Sequence, residues 1–316
     1  MRWPQFSAKA FYVFLLALSM AVALSALGGC RKNPANSSTA AHGIDPALLA
    51  KAQAGDPAAE FQVGLHYEQG QGVPQDYKQA AVWYGKAADQ GNAQAESSLG
   101  SLYDNGQGVA QDRSQAAVWY LKASDQGDAK AQYRLGVLYY QANGMPHHLA
   151  EAAVLYSKAA NQGLADAQFN LGLLYNTGQG VPQDFEQAAI WYRKAADQGD
   201  AMAQFNLGLL YDQGLGVPQN SAHAAVWYRK AADQGNVRAQ WSLGALCYNG
   251  EGVPQDYAEA YFWMDLASLG NLIGLSNPQD VAKDRDKAAS HLSKEMLLQT
   301  QERARKWFED HPAKAQ

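Results

Sequence analysis

Few residues in this chain have the type and spacing that chemistry needs. His147 and His148 stand side by side and invite a metal reading. Adjacent imidazoles in a turn seldom chelate one ion without ligands from elsewhere, so a solvated loop is the plainer reading. Asp76, Asp112, Asp184 and Asp256 would form a carboxylate cluster if they met, but they are spaced by 36 residues or multiples of it, and each stands where a helix begins. A capping role accounts for them. No G-x-S-x-G, H-E-x-x-H, S-x-x-K, C-x-x-C or phosphate-loop string occurs after Cys30. The usual nucleophile, zinc and phosphate devices thus lack support. We expect no catalytic residues, no metal and no cofactor.

The elements that hold these residues are repeats. Trp83, Trp119, Leu155, Trp191, Trp227 and Trp263 are each 36 residues apart, and so are Gly64, Gly100, Gly136, Gly172, Gly208 and Gly244. Self-similarity at such a period means one supersecondary unit stacked on copies of itself, with its core buried only between neighbours. Each unit is alanine-rich, broken by glycine at set places and poor in Val/Ile alternation. That pattern predicts short helices and tight turns, without a sheet.

The fourth unit shows the design. Ala167, Leu171, Leu174 and Tyr175 share one side of a first helix. Gly172 costs about 1 kcal/mol in a helix interior, so its recurrence predicts a neighbour too close for a side chain. In Gly178-Gln179-Gly180-Val181-Pro182-Gln183-Asp184 the glycines end the helix, the proline forbids its continuation and the aspartate caps the next one. Gln187 lies three residues after Asp184, a spacing akin to a capping box. Asp76/Gln79, Asp112/Gln115 and Asp256/Glu259 repeat it. Ala188, Trp191, Tyr192, Ala195 and Ala196 give the second helix its apolar face, and Gly199 stops it. The third unit departs, with Ala142-Asn143-Gly144-Met145-Pro146-His147-His148 in its loop and Leu155 in the tryptophan column.

The pattern A-x-A-Q-x-x-L-G-x-x-Y-x-x-G-x-G-V-x-Q-D-x-x-x-A-x-x-W-Y-x-K-A-A-x-Q-G closely resembles the Sel1-like repeat, a relative of the tetratricopeptide repeat. The resemblance covers about two-thirds of the chain. It implies an all-α, right-handed α-solenoid of six helix-turn-helix repeats over residues 46–271. Closing helices would follow over 272–316, with Arg303, Arg305, Lys306 and Glu309 on a polar outer face.

In such a stack the first helices line the concave surface. The third position before the recurrent glycine reads Phe61, Ser97, Tyr133, Phe169, Phe205, Trp241, and the fourth after it includes Tyr140 and Tyr248 among Glu68, Asp104, Asn176 and Asp212. An aromatic ladder interspersed with carboxylates and amides is the composition of a surface that binds a protein or peptide. The same rings could instead pack against the adjacent first helix and thicken the core. Both readings stand at this point.

The N-terminus carries Arg2 and Lys9, an apolar run from Ala10 to Ala26, and then Leu27-Gly28-Gly29-Cys30. A basic start, a short apolar stretch and small residues mark a secretory signal peptide. The ending resembles the bacterial lipobox, which implies removal of residues 1–29 and lipidation of Cys30. The alternative is an uncleaved membrane-spanning helix. Residues 31–43 lack apolar periodicity and are rich in Ser, Ala, Asn and Pro, as in a flexible tether. Arg31 after the cysteine resembles lipoproteins sorted to the outer membrane. The expected location is therefore the bacterial envelope, periplasm-facing, at the outer rather than the inner membrane. Removing residues 1–29 takes away two positive charges and no negative ones, moving the net charge from −5 to −7. That is the wrong sign for a nucleic-acid footprint. Cys247 then has no partner cysteine; it occupies the column otherwise filled by Tyr67, Tyr103, Tyr139, Tyr175 and Tyr211, a core position.

The function these expectations describe is a noncatalytic envelope scaffold that binds a protein or peptide. The resemblance also implies two alternatives: an immunity lipoprotein that neutralises a secreted effector, and a cell-wall or penicillin-binding enzyme. The relatives suggested for the latter have paired cysteines in each repeat, which this chain does not.

Overall fold

The computed structural model describes residues 43–141, 146–270 and 278–311. The expected signal peptide, Cys30 and most of the tether lie outside the described residues, as does the His147 side chain. Among the described residues every element is an α-helix. A single helix, α1 (Pro46–Gln53), precedes the six pairs α2 (Pro57–Gln69) and α3 (Tyr77–Asp89), α4 (Ala93–Asn105) and α5 (Arg113–Asp125), α6 (Ala129–Gln141) and α7 (Pro146–Asn161), α8 (Ala165–Thr177) and α9 (Phe185–Asp197), α10 (Ala201–Gln213) and α11 (Ser221–Asp233), α12 (Val237–Asn249) and α13 (Tyr257–Leu269). Helices α14 (Pro278–Ala289) and α15 (Lys294–Asp310) follow. The architecture is an all-α solenoid. It groups into two compact units, one running to Leu174 with Gly178–Gln183, the other holding Tyr175–Thr177 and everything from Asp184.

Short polar side chains start the helices. Oδ1 of Asp76 accepts from the amides of Lys78 and Gln79 at 2.9 and 3.1 Å, and Asp112 and Asp256 repeat the geometry. Asp56, Asn92, Asp128, Asp200 and Asn236 cap first helices in the same way. Each satisfies donors that a helix start leaves without intrahelical partners. One feature differs from a capping box. The amide of Asp76 donates to the Tyr67 carbonyl at 2.9 Å, so the last turn of the first helix takes the place of a returning Gln79 side chain. Asp112, Asp184, Asn220 and Asp256 do likewise toward Tyr103, Tyr175, Tyr211 and Cys247. The preceding glutamine reinforces the loop, since Nε2 of Gln75 donates to the Glu68 carbonyl at 2.7 Å, and Gln111, Gln219 and Gln255 make the equivalent bond.

Two glycine positions of the repeat are fixed by close approach. A Cβ on Gly100, inside α4, would fall 2.8 Å from the Tyr120 ring of α5, a distance real Cβ contacts do not show. Gly64, Gly136 and Gly208 meet Tyr84, Tyr156 and Tyr228 in the same manner, and Gly244 meets Met264. Gly108, at φ 73°, is constrained twice, because its Cβ would lie 2.3 Å from the backbone carbonyl of Tyr77 at the start of the previous pair's second helix. Gly216 meets Phe185 and Gly252 meets Ser221 likewise.

Burial is shared across repeat junctions. Phe61, Ala80, Tyr84, Ala87 and Ala88 of the first pair form one cluster with Ala95, Leu99 and Leu102 of the second, and Ala116, Tyr120 and Ala123 continue with Ala131, Leu135 and Leu138. A buried glutamine pins each junction from the second pair onward. Gln204 donates to the Ala196 carbonyl of the preceding pair at 3.1 Å and accepts from Gln234 of its own pair at 2.8 Å. In the first two repeats the acceptor is a carboxylate: Glu60 takes the bond from Gln90 and Glu96 that from Gln126, both at 2.7 Å. Helix α1 closes the first pair, packing Leu48 and Leu49 around Ala52, Ala59 and Val63. Ala288 of α14 and Ala304 of α15 join the cluster of the last pair.

Gly100→Ala should lower stability by about 1–3 kcal/mol through overpacking against Tyr120, although alanine is the better helix former; denaturant unfolding that reports stabilisation would contradict the close-approach argument. Burial raises the Glu96 carboxyl above its usual value. A group that binds protons more tightly when folded favours folding at low pH, and that contribution disappears as pH rises through the folded pKa. Glu96→Gln, the residue found at the equivalent Gln132, Gln168, Gln204 and Gln240, should therefore raise the melting temperature more at pH 7 than at pH 4. Equal shifts at both pH values would show that the carboxylate charge has no cost.

Candidate functional site

The first helices of the pairs carry the aromatic residues that sequence singles out, and their surroundings divide them. Phe61, Phe169 and Phe205 are 8%, 8% and 5% exposed. Phe61 lies against Tyr84 of its own pair with ring centroids 5.6 Å apart, and Phe205 against Tyr228 at 5.8 Å. Tyr133, Tyr140, Trp241 and Tyr248 are half-buried. Tyr133 packs on Tyr156 at 5.8 Å, and the Tyr140 hydroxyl donates to Oε1 of Gln179 at 3.0 Å. Trp241 and Tyr248 meet the C-terminal region: the indole donates to Oδ2 of Asp284 at 3.3 Å, and the Tyr248 hydroxyl lies 3.3 Å from Nε2 of His291. The structure therefore brings Trp241 and Tyr248 together with α14 and the turn after it. Cys30 is outside the described residues.

Between the aromatics runs a row of half-buried acids. The Tyr84 hydroxyl donates to Oε2 of Glu68 at 2.5 Å, and Asp104 faces Arg113 at 3.8 Å. Burial raises the carboxyls of Asp104 and Asp212, with Glu251 adding to the effect at Asp212. In the first unit Glu68, Asp104, Tyr133 and Tyr140 thus follow one another on α2, α4 and α6. Carboxylates held at partial desolvation beside phenolic rings suit hydrogen-bond donors and cations of a partner.

The remaining chemical candidates have ordinary places. Cys247 is buried, and desolvation pushes its thiol up to about 11, so it stays protonated. His148 packs on Tyr139 and stands 3.6 Å from Glu151. Among the described residues no three His, Cys, Asp or Glu side chains gather as a metal site would require. None of the described helices is long and apolar enough to cross a membrane. One surface escaped the sequence reading. Val82, Val118, Val154, Ile190 and Val226, each just before the tryptophan column, are 46–56% exposed. Their 36-residue phase was the available signal, hidden because the neighbouring Ala and Trp already account for the helix's buried face.

Six consecutive segments, 57–92, 93–128, 129–164, 165–200, 201–236 and 237–272, each match the Sel1 repeat. The chain belongs to the Sel1 repeat family. Sel1 repeat proteins are typically non-enzymatic scaffolds for protein–protein interaction. Among solved structures, a Sel1 repeat protein from Oxalobacter formigenes is 38% identical with a TM-score of 0.60, the match covering 68% of this chain and 88% of that one. A protective antigen present in uropathogenic Escherichia coli strains is 30% identical, with coverage of 84% and 71% and a TM-score of 0.42. An immunity protein from Pseudomonas aeruginosa is 21% identical, with coverage of 73% and 83% and a TM-score of 0.39. Among curated proteins no relative matches.

Proposed function

We propose that this Sel1 repeat chain is a noncatalytic, envelope-anchored adaptor that holds a protein or peptide partner on the face formed by the first helices of its pairs. The observation that carries this reading is the row Glu68, Asp104, Tyr133 and Tyr140, in which half-buried acids on α2 and α4 are followed by half-buried phenol rings on α6 within one compact unit. Such a surface suits a segment with basic or amide donors and flat apolar side chains. Phe61 and Phe205 support the face from beneath, since their rings pack on Tyr84 and Tyr228 of their own pairs, and Phe169 is as buried. Anchoring rests on Leu27-Gly28-Gly29-Cys30 at the end of an apolar run. In this reading a lipid on Cys30 holds the repeats on the periplasmic side of the envelope, at the outer membrane.

The partner face is tested by crosslinking in intact cells. Tyr133→Ala combined with Tyr140→Ala should remove the crosslinked species while circular dichroism and melting stay close to the parent; retained crosslinking would move the site elsewhere. Lipidation is tested separately. Cys30→Ala should give an unprocessed or soluble product, and membrane retention after cleavage of the leader would contradict the anchor.

A further inference from the structure

The second helices of the pairs present a different surface, and the C-terminus of the chain shows how it is used. Helix α15 lies on α13 with Thr300 and Ala304 buried and Leu297, Trp307 and Phe308 packed against the core. Arg303 sits 3.8 Å over the Phe262 ring and 2.9 Å from Glu259. Phe262, which occupies the place of the exposed valines, is consequently 2% exposed. Arg229, Asp233, Phe262 and Trp263 line this helix-covered groove together with α15.

Four repeats earlier the same positions are Gly85, Asp89, Val118 and Trp119. Gly85, Asp89 and Trp119, with Lys78, Val82 and Val109, line a groove of about 430 Å³ between α3 and α5. Gly85 puts no side chain into this groove. Leu121, Ser157, Arg193 and Arg229 fill the equivalent place in the next four repeats, whereas a Cβ on Gly85 would meet nothing within 4 Å. Val82 and Val118 are 53% and 49% exposed. The charge is also altered. Gln79 and Gln115 stand where α13 offers Glu259 to Arg303, while Lys86 and Lys122 stand where α13 has Leu266. Each lysine ammonium is 4.0 Å from the centre of a tryptophan ring, over Trp83 and Trp119 respectively, which holds the positive charge beside the apolar strip.

We propose that the α3–α5 groove receives an amphipathic helix of a protein partner, in the way α13 receives α15, with its apolar residues on Val82, Val118 and Trp119 and its flanking carboxylates on Lys78, Lys86 and Lys122. The site is distinct from the acidic face of the first helices. A helix laid across exposed aliphatics buries apolar area on both sides, and the lysines select acidic over basic flanks.

The probe is a fluorescein-labelled peptide of residues 293–311 carrying Arg303→Glu, Arg305→Glu and Lys306→Glu, titrated into the full chain and read by anisotropy. Saturable binding is expected. Val82→Glu with Val118→Glu puts carboxylates on the exposed strip that the helix would cover, so it should weaken binding about tenfold or more with melting unchanged. Lys86→Glu with Lys122→Glu should do the same, and Tyr133→Ala with Tyr140→Ala should leave peptide affinity as it was, which separates this test from that of the other face. No saturable binding, or equal affinity for the Val82→Glu, Val118→Glu variant, overturns the proposal. It is also overturned if sedimentation shows self-association that the Val82→Glu, Val118→Glu variant removes, which assigns the groove to a second copy. Cosedimentation with phosphatidylglycerol vesicles that Lys86→Glu abolishes, in the absence of peptide binding, overturns it in favour of a membrane surface.

Discussion

A tyrosine ring pressed against a helical glycine sets the geometry of each repeat. With Tyr84, Tyr120, Tyr156 and Tyr228 almost fully enclosed, the two helices of a pair come closer than any side chain at Gly64, Gly100, Gly136 or Gly208 would permit. That proximity turns the alanines of the second helix toward the first helix of the next pair, where Ala87 and Ala88 meet Ala95 and Leu99. Small residues let backbones approach, and many short contacts replace the few large side chains of an ordinary core. Where Met264 takes the tyrosine's place, the neighbouring pair is absent and α14 and α15 supply the cover instead.

Much of this was legible in the residues. The 36-residue phase gave the helix pairs, and the glycine column announced a close neighbour. Asp56, Asp76, Asp112 and Asp256 are helix caps, as their position before each apolar stretch implies. The return bond of a capping box was not legible, because a Tyr67 or Tyr103 carbonyl from the previous helix reaches the same amide and no linear pattern encodes that approach. A helical wheel also placed Phe61, Phe169 and Phe205 away from the core stripe. Side chains on a helix lean toward its N-terminus, and a long ring can reach the tyrosine of the partner helix from a position that the wheel draws at the margin. The same column is half-buried at Tyr133 and Trp241, so the aromatic identity alone does not separate filler from surface.

The two helix types carry contrasting electrostatics. First helices hold acids at partial burial, while second helices display Lys86, Lys122, Lys194 and Lys230 over tryptophan rings. The last pair is closed on both counts, Trp241 and Tyr248 meeting Asp284 and His291 on one side and Phe262 meeting Arg303 on the other. A solenoid ends stably only when its outermost pair is given a substitute neighbour, and here the substitute engages the surfaces that earlier pairs leave open.

The second loop glycine has a consequence for how such a chain can change over generations. Gly108, Gly216 and Gly252 seat one loop on the bare backbone of the preceding pair, at Tyr77, Phe185 and Ser221. Contact with main chain is indifferent to side-chain identity, so sequence can drift on both sides while the spacing cannot. Loss of a single loop residue would unseat the junction, but gain or loss of an entire 36-residue module presents the same backbone to the same loop. Growth and shrinkage by whole modules is the length variation this packing tolerates.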